Sequence, residues 1–296
     1  MDLTDVEKRF LALHYVFPVP ANRFVKLLEE DPELTEFPMY SLEKLSYLLN
    51  LPSQKASQLK KHILESSLTP FEQIYASEGI LPIPFMHPDY PKALRIMIDP
   101  PAVLYVQGDV KLLKSPRKVA IIGARKASFY SEKTLSYIIP PLIKNEVVVV
   151  SGLAKGADTM AHQAAIRYGG KTIAVLGHGL FHLYPRENSW LKEIIAKDHL
   201  LVTEYPPYVR PERWTFPMRN RIISGLSDAV IVTESTRKSG TMSTVEHALE
   251  HGKDVFAVPG PVTSILSEGP NHLIGEGAVP LSHGFQVVAR LKSDVK

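Results

Sequence analysis

The stretch Lys118-Val-Ala-Ile-Ile-Gly-Ala-Arg-Lys-Ala-Ser128 decides the fold class of this chain. Its apolar run, Val119-Ala-Ile-Ile122, is mostly β-branched and does not alternate with polar residues. A strand that is apolar on both faces belongs in a parallel sheet covered by helices on both sides. The run stops at Gly123, and Ser128 is placed to cap a helix reaching about Lys144. The same pattern recurs in Val147-Val-Val-Val150, Thr172-Ile-Ala-Val-Leu176, Leu200-Leu-Val-Thr203, Ala229-Val-Ile-Val232 and Val255-Phe-Ala-Val258. Segments long enough for crossover helices separate these runs. The alternation predicts an α/β fold, a parallel sheet wound in both directions.

Upstream, the period changes. Apolar residues recur at helical spacing in Phe10, Leu11 and Leu13, in Phe24, Val25, Leu27 and Leu28, and in Leu42, Leu45, Leu48 and Leu49. Ser41 and Ser53 are expected N-caps, and Asp31-Pro32 breaks the second helix. Residues 4 to 78 thus read as short helices. A Pro-rich stretch from Leu81 to Pro91, followed by Asp99-Pro-Pro101, reads as a linker anchored by Ile83, Phe85, Tyr90 and Leu94. Ala102-Val-Leu-Tyr-Val106 then reads as a strand ended by Gly108. Two domains are expected: a small all-helical one over residues 1–80 and the sheet domain over 81–296.

The composition, 45% hydrophobic and 22% charged, supports a sizeable core. There is no cysteine, which excludes disulfides, thiolate metal sites and a cysteine nucleophile. The acidic N-terminus has no apolar core of a signal peptide, and no apolar run is long enough for a membrane span, so a cytoplasmic location is expected. The net charge of +3 is too small to name a polyanionic partner. Where the cations sit decides more.

In an open parallel sheet, ligands bind beyond the carboxyl ends of the strands. The first run is followed by Gly123, Arg125, Lys126 and Ser128, a glycine turn and a helix start that suit an anion. The G-x-G-x-x-G fingerprint is missing, which argues against NAD and FAD; no cofactor is expected. The second run leads to Lys155 and Gly156, another candidate phosphate cradle, and to Asp158 and His162, four residues apart and able to pair. His178 and His182 share that spacing, but Gly179 lies between them and no third ligand follows, so no metal is expected. The richest segment is Phe216-Pro-Met-Arg219-Asn220-Arg221, with Trp214 beside it. Arginines contact phosphates and an aromatic face stacks a base, a combination that suits a single strand. Arg219 and Arg221, two apart, point in different directions on a helix, which leaves one of them open to a structural role. After the fifth run, Ser239, Gly240 and Thr241 form one more anion-type helix start.

These segments resemble the DprA/Smf DNA-processing family. The likeness is carried by Gly123-Ala-Arg125-x-x-Ser128, Ser151-Gly-x-Ala-x-Gly156-x-Asp158, Tyr184-Pro185 and Phe216-Pro-x-Arg219-Asn220-Arg221-Ile-Ile-Ser224-Gly225. It continues through Ser239-Gly240-Thr241 and Asn271-x-Leu273-Ile274 and spans roughly residues 81–285. The helical segment is similar to the family's sterile-alpha-motif-like domain. The resemblance implies an extended Rossmann-like fold that binds single-stranded DNA without strong sequence preference. It also implies loading of RecA recombinase during natural transformation, displacement of single-strand-binding protein and a homodimer. The implied DNA site comprises Gly123, Arg125, Lys126, Ser128, Lys155, Gly156, Arg219, Asn220, Arg221, Ser239, Gly240 and Thr241. A rival reading is a nucleotide-processing enzyme akin to the lysine-decarboxylase-like phosphoribohydrolases. There a glutamate follows the Gly-Thr helix start by about three residues, whereas here the first, Glu246, comes five after Thr241. Binding without catalysis is therefore the expectation.

Overall fold

A computed structural model describes residues 3–66 and 71–293. The parts of the two expected domains at 1–2, 67–70 and 294–296 lie outside the described residues. Nine strands form one sheet: β1 (Ile80–Pro84), β2 (Val103–Gly108), β3 (Lys118–Ile122), β4 (Val148–Ser151), β5 (Thr172–Val175), β6 (Leu200–Thr203), β7 (Ala229–Val232), β8 (Asp254–Ala257) and β9 (Val279–Pro280). Their spatial order is β1-β2-β6-β5-β4-β3-β7-β8-β9. All six expected runs are strands, and the pairs from β6 across to β9 are parallel.

The other edge corrects the sequence reading. β2 runs antiparallel to β6, and β1 antiparallel to β2, with Ile83 opposite Leu104. The first part of the supposed linker is therefore an edge strand. Pro82 and Pro84 sit in it because an edge strand needs ladder hydrogen bonds on one side only, so a missing N–H is tolerated. Ile83, Tyr90 and Leu94 are buried, as anchors should be.

The helices are α1 (Asp5–Val16), α2 (Val25–Glu30), α3 (Leu42–Leu49), α4 (Ser53–Ser66), α5 (Phe71–Ser77), α6 (Lys92–Arg95), α7 (Phe129–Lys144), α8 (Ala157–Arg167), α9 (Ser189–Asp198), α10 (Thr215–Gly225), α11 (Gly240–Glu250), α12 (Glu268–Gly275) and α13 (Gly284–Ser293). The doubly apolar strand β3 shows why both faces are covered. Val119 and Ile121 pack with Leu135, Ile138 and Leu142 of α7. Ala120 and Ile122 share a core with Ile222 and Ile223 of α10 and Val245 of α11.

The helical module keeps most of its expected signals. Ser41 caps α3 by accepting from Lys44 N (3.2 Å), and Asp31 terminates α2 while its carboxylate accepts from Glu36 N and Phe37 N (both 2.8 Å). Ser53 is the first residue of α4 rather than its cap. The module's core runs without a gap into the sheet: Phe10, Phe24, Leu27 and Leu45 belong to the same cluster as Tyr105, Leu176 and Leu201. The buried pair His14 Nδ1 and Tyr105 OH (3.0 Å) crosses that junction. Among the described residues no helix is long and apolar enough to cross a membrane.

Candidate nucleic-acid interface

β3 and β7 are neighbours, yet the chain leaves them in opposite directions, β4 to β6 lying on one side and β8 and β9 on the other. Loops that diverge at such a switch point leave a crevice beyond the strand ends. Here it is a cleft of about 530 Å³. The loop after β3 contributes Gly123, Arg125 and Lys126 to its wall. α10 contributes Phe216, Arg219 and Asn220, and the start of α11 contributes Ser239, Gly240 and Thr241. Two cross-links hold these walls together: Thr241 Oγ1 donates to the Gly123 carbonyl (3.1 Å), and Asn220 Nδ2 donates to the Gly240 carbonyl (3.3 Å). A smaller chamber of about 50 Å³ adjoins the cleft. It shares Arg125, Phe216 and Arg219 with the cleft and adds Lys155, His178 and Tyr184. The rings of Tyr184 and Phe216 flank it at a centroid distance of 5.3 Å, and the Arg125 guanidinium lies 6.0 Å from the Phe216 ring centre.

Arg125 and Lys126 are exposed, whereas Arg219 is buried in the floor. Its guanidinium donates to the Val175 carbonyl and to Asn220 Oδ1 (3.2 Å). It crosses above Gly152, where a Cβ would collide with both the guanidinium and the carboxylate of Asp158. Burial pushes the Asp158 carboxyl up, and the Arg219 charge opposes that shift. The expected Asp158–His162 pair does not form. His162 Nε2 donates to the Gly152 carbonyl (2.7 Å), and its Nδ1 meets Thr172 Oγ1 (2.7 Å), so it braces the same glycine from below. Gly156 has φ +75°, and a side chain there would strike the carbonyls of Ala124 and Arg125. It shapes the Arg125 loop without lining the cleft.

Three of the candidate residues have other partners. Ser128 does not offer the start of α7 to an anion, because Glu234 is already there. The Glu234 carboxylate, 3% exposed, accepts from Ser128 N (2.7 Å), Ser128 Oγ (2.7 Å) and Ser131 Oγ (2.8 Å). Arg221 points away from the cleft, about 200° around the helix from Arg219. Its side chain, 2% exposed, binds Asp99 Oδ2 through Nε (2.9 Å) and Glu204 Oε2 through Nη2 (2.6 Å). Lys155 borders the chamber with its ammonium on Glu187 Oε1 (2.5 Å), an exposed pair of the kind that contributes little and exchanges readily.

Thr236, Thr244 and Leu266 complete the wall, and nothing in their local sequence marks them. The role of Glu234 had a faint signal, an acid just after an apolar strand. Trp214 packs edge-on against Tyr205 (6.0 Å) and is not part of the cleft. His178 Nδ1 is held by the Gly179 carbonyl (3.0 Å) and His182 Nε2 by the Tyr208 carbonyl (2.7 Å), so the two rings serve different backbone groups. Among the described residues no group of three or more metal-ligating side chains converges.

Comparison with known proteins agrees with this architecture. Residues 82–292 match the family model for DNA recombination-mediator protein A. DNA processing protein DprA of Bacillus subtilis is 43% identical over 226 residues, 76% of each chain. The X-ray structure of DprA from Streptococcus pneumoniae superposes with a TM-score of 0.80 at 36% identity, over 98% of both chains, helical module included. A structure of the Helicobacter pylori protein, concerned with its single-stranded DNA binding mode, superposes with a TM-score of 0.65 at 34% identity and covers 73% of this chain and 96% of that one. With the family model matching residues 82–292 and these relatives matching the fold, the chain belongs to the DNA recombination-mediator protein A family, DprA/Smf.

Proposed function

We propose that this chain binds single-stranded DNA without strong sequence preference and loads RecA recombinase onto it during natural transformation. The reading includes displacement of single-strand-binding protein, a homodimeric state and no catalytic step of its own. One observation carries it: the switch-point cleft sets Arg125, Lys126 and Arg219 against a single carboxylate, Asp158, with Phe216 in the same wall. Exposed cations neutralise phosphates, and an aromatic face accepts any base, so such a cleft favours a strand over a defined sequence. The family's role as a recombination mediator and the single-stranded DNA binding of the H. pylori relative support the assignment. The phosphoribohydrolase alternative draws no support from Glu246, which is exposed on α11 and is not part of the cleft wall.

Fluorescence anisotropy with labelled single-stranded and double-stranded oligonucleotides tests the reading. Single strands of mixed sequence should bind with similar affinity, falling steeply as salt rises. Arg125→Glu should weaken binding about 100-fold while leaving the fold intact. Affinity that is flat with salt, or unaffected by the reversal, would remove the proposal and direct attention to nucleoside monophosphate hydrolysis. RecA loading is read separately, as faster RecA filament growth on DNA coated with single-strand-binding protein. Sedimentation gives the oligomeric state, and a dimer with two clefts would raise avidity for a long strand.

A further inference from the structure

The outer face of α7 carries a pattern that its packing does not require. Phe129, the first residue of the helix, is 73% exposed, and Tyr137, about two turns on, is 51% exposed. A helix packed on a sheet ordinarily turns polar residues to solvent. Lys133 lies between the two rings, and Lys144 is the last residue of the helix. At 100° per residue these four side chains fall within about 80° of arc, a stripe about 22 Å long. Both lysines are exposed, and no ion pair among the described residues involves them. Glu132, at the margin of the stripe, pairs with Arg167 at 3.9 Å. The far end of the stripe opens into a groove of about 240 Å³ between α7 and the start of α13. A Cβ at Gly284 would collide with the Ile138 carbonyl, so glycine is what lets α13 lie this close. That contact sets Phe285 and His283 beside Tyr137, Pro140 and Lys144. The His283 and Phe285 rings are stacked, 5.1 Å between centroids with an interplanar angle of 19°.

We propose that this stripe and groove are a second binding segment for single-stranded DNA, continuing the strand held in the cleft; the inference rests on the cleft reading above. Rings spaced along a row of unpaired cations suit a polymer that alternates flat bases with anionic phosphates. An apolar protein surface would instead bury Lys133 and Lys144 without countercharge. The two segments are continuous, because Lys126 in the cleft wall precedes Phe129 by three residues. The start of α7 itself takes no phosphate, since Glu234 fills it, and the Phe129 ring carries the strand across that end. A length of about 22 Å matches roughly six nucleotides at stacked spacing and fewer when the strand is extended.

Anisotropy titrations of the full chain with oligothymidines of about 5 and about 12 nucleotides separate the two segments. The short strand occupies the cleft alone, and the long one reaches the groove. Tyr137→Ala combined with Phe285→Ala should weaken the long strand at least about tenfold and leave the short one unchanged. Phe129→Ala should weaken the long strand about fivefold, and Lys133→Glu should make its affinity less dependent on salt. These side chains lie on the surface, so an unchanged short-strand affinity also shows that each variant is folded. A 5-iodouracil near the end of the long strand should crosslink on irradiation to Tyr137 or Phe285. Long-strand affinity unaltered in the double variant would overturn the stripe and leave the cleft reading standing, whereas a parent that binds neither length would remove both. A dimer that dissociates in the double variant, read by sedimentation, would assign the groove to a second copy of the chain and overturn the proposal.

Discussion

α7 and α11 begin at the two strands that border the switch point, and in the sequence both starts look alike: a serine, a helix, and basic residues just before it. In the fold they differ. The start of α7 is filled by the protein's own carboxylate, Glu234, which takes two hydrogen bonds from Ser128 and one from Ser131. The start of α11 is capped by no side chain, and Ser239 Oγ is buried without a protein partner in the cleft wall. A helix N-terminus attracts negative charge whatever its source. What distinguishes an anion site from a structural joint is whether the chain supplies that charge itself. The same division separates Arg219, facing the cleft, from Arg221, held between Asp99 and Glu204.

The largest effect should come from the arginine that does not reach the cleft. Arg221→Ala strands two carboxylates in or near the core and should cost about 4 kcal/mol of stability, measured by urea unfolding. Loss of DNA affinity at unchanged stability would instead return Arg221 to the binding surface and erase the distinction. Next is Glu234→Ala, expected to cost about 3 kcal/mol because three donors at the start of α7 lose their acceptor. That variant should also become more responsive to sulfate than the parent in thermal melts, since its helix end is now open. If sulfate stabilises both equally, Glu234 is not what occupies that end.

The floor between the two helix starts gives a third test through pH. Burial lowers the His162 pKa from 6.5 to about 4. The unfolded chain therefore takes up this proton first as the solution is acidified. Its contribution is complete above about pH 6.5 and drains away as pH falls toward 4. At pH 5 the loss should be about 2 kcal/mol relative to pH 7, and His162→Gln should show a correspondingly shallower decline in unfolding free energy. Parallel declines in parent and variant would assign the acid sensitivity elsewhere. The smallest effect belongs to Ser239→Ala, which should leave stability within about 0.5 kcal/mol of the parent and reduce single-strand affinity about fivefold. A large stability loss there would mean that α11, like α7, is closed by its own side chain.

Much of the fold was legible because its signals are local. The six parallel strands from β3 to β8 are short runs apolar on both faces, whereas β9 is only two exposed residues and carries no such signal, and Ser128, Ser41 and Asp31 mark helix ends by chemistry that acts within a few residues. The antiparallel edge was missed because Pro82 and Pro84 look the same in a linker and in an edge strand; only pairing with β2 tells them apart. The cleft was legible as a set of loops at strand ends, eight of whose candidate residues the fold gathers into one wall.

By itself the sequence determined the layers, the positions of the strand ends and the family, since hydrophobic period and loop motifs are properties of neighbouring residues. The tertiary structure alone decided which look-alike group faces outward. Glu234 reaches Ser128 across a separation of 106 residues, and Arg221 reaches Asp99 across 122. Charge compensation over such distances depends on which strands lie side by side, and no local pattern encodes that.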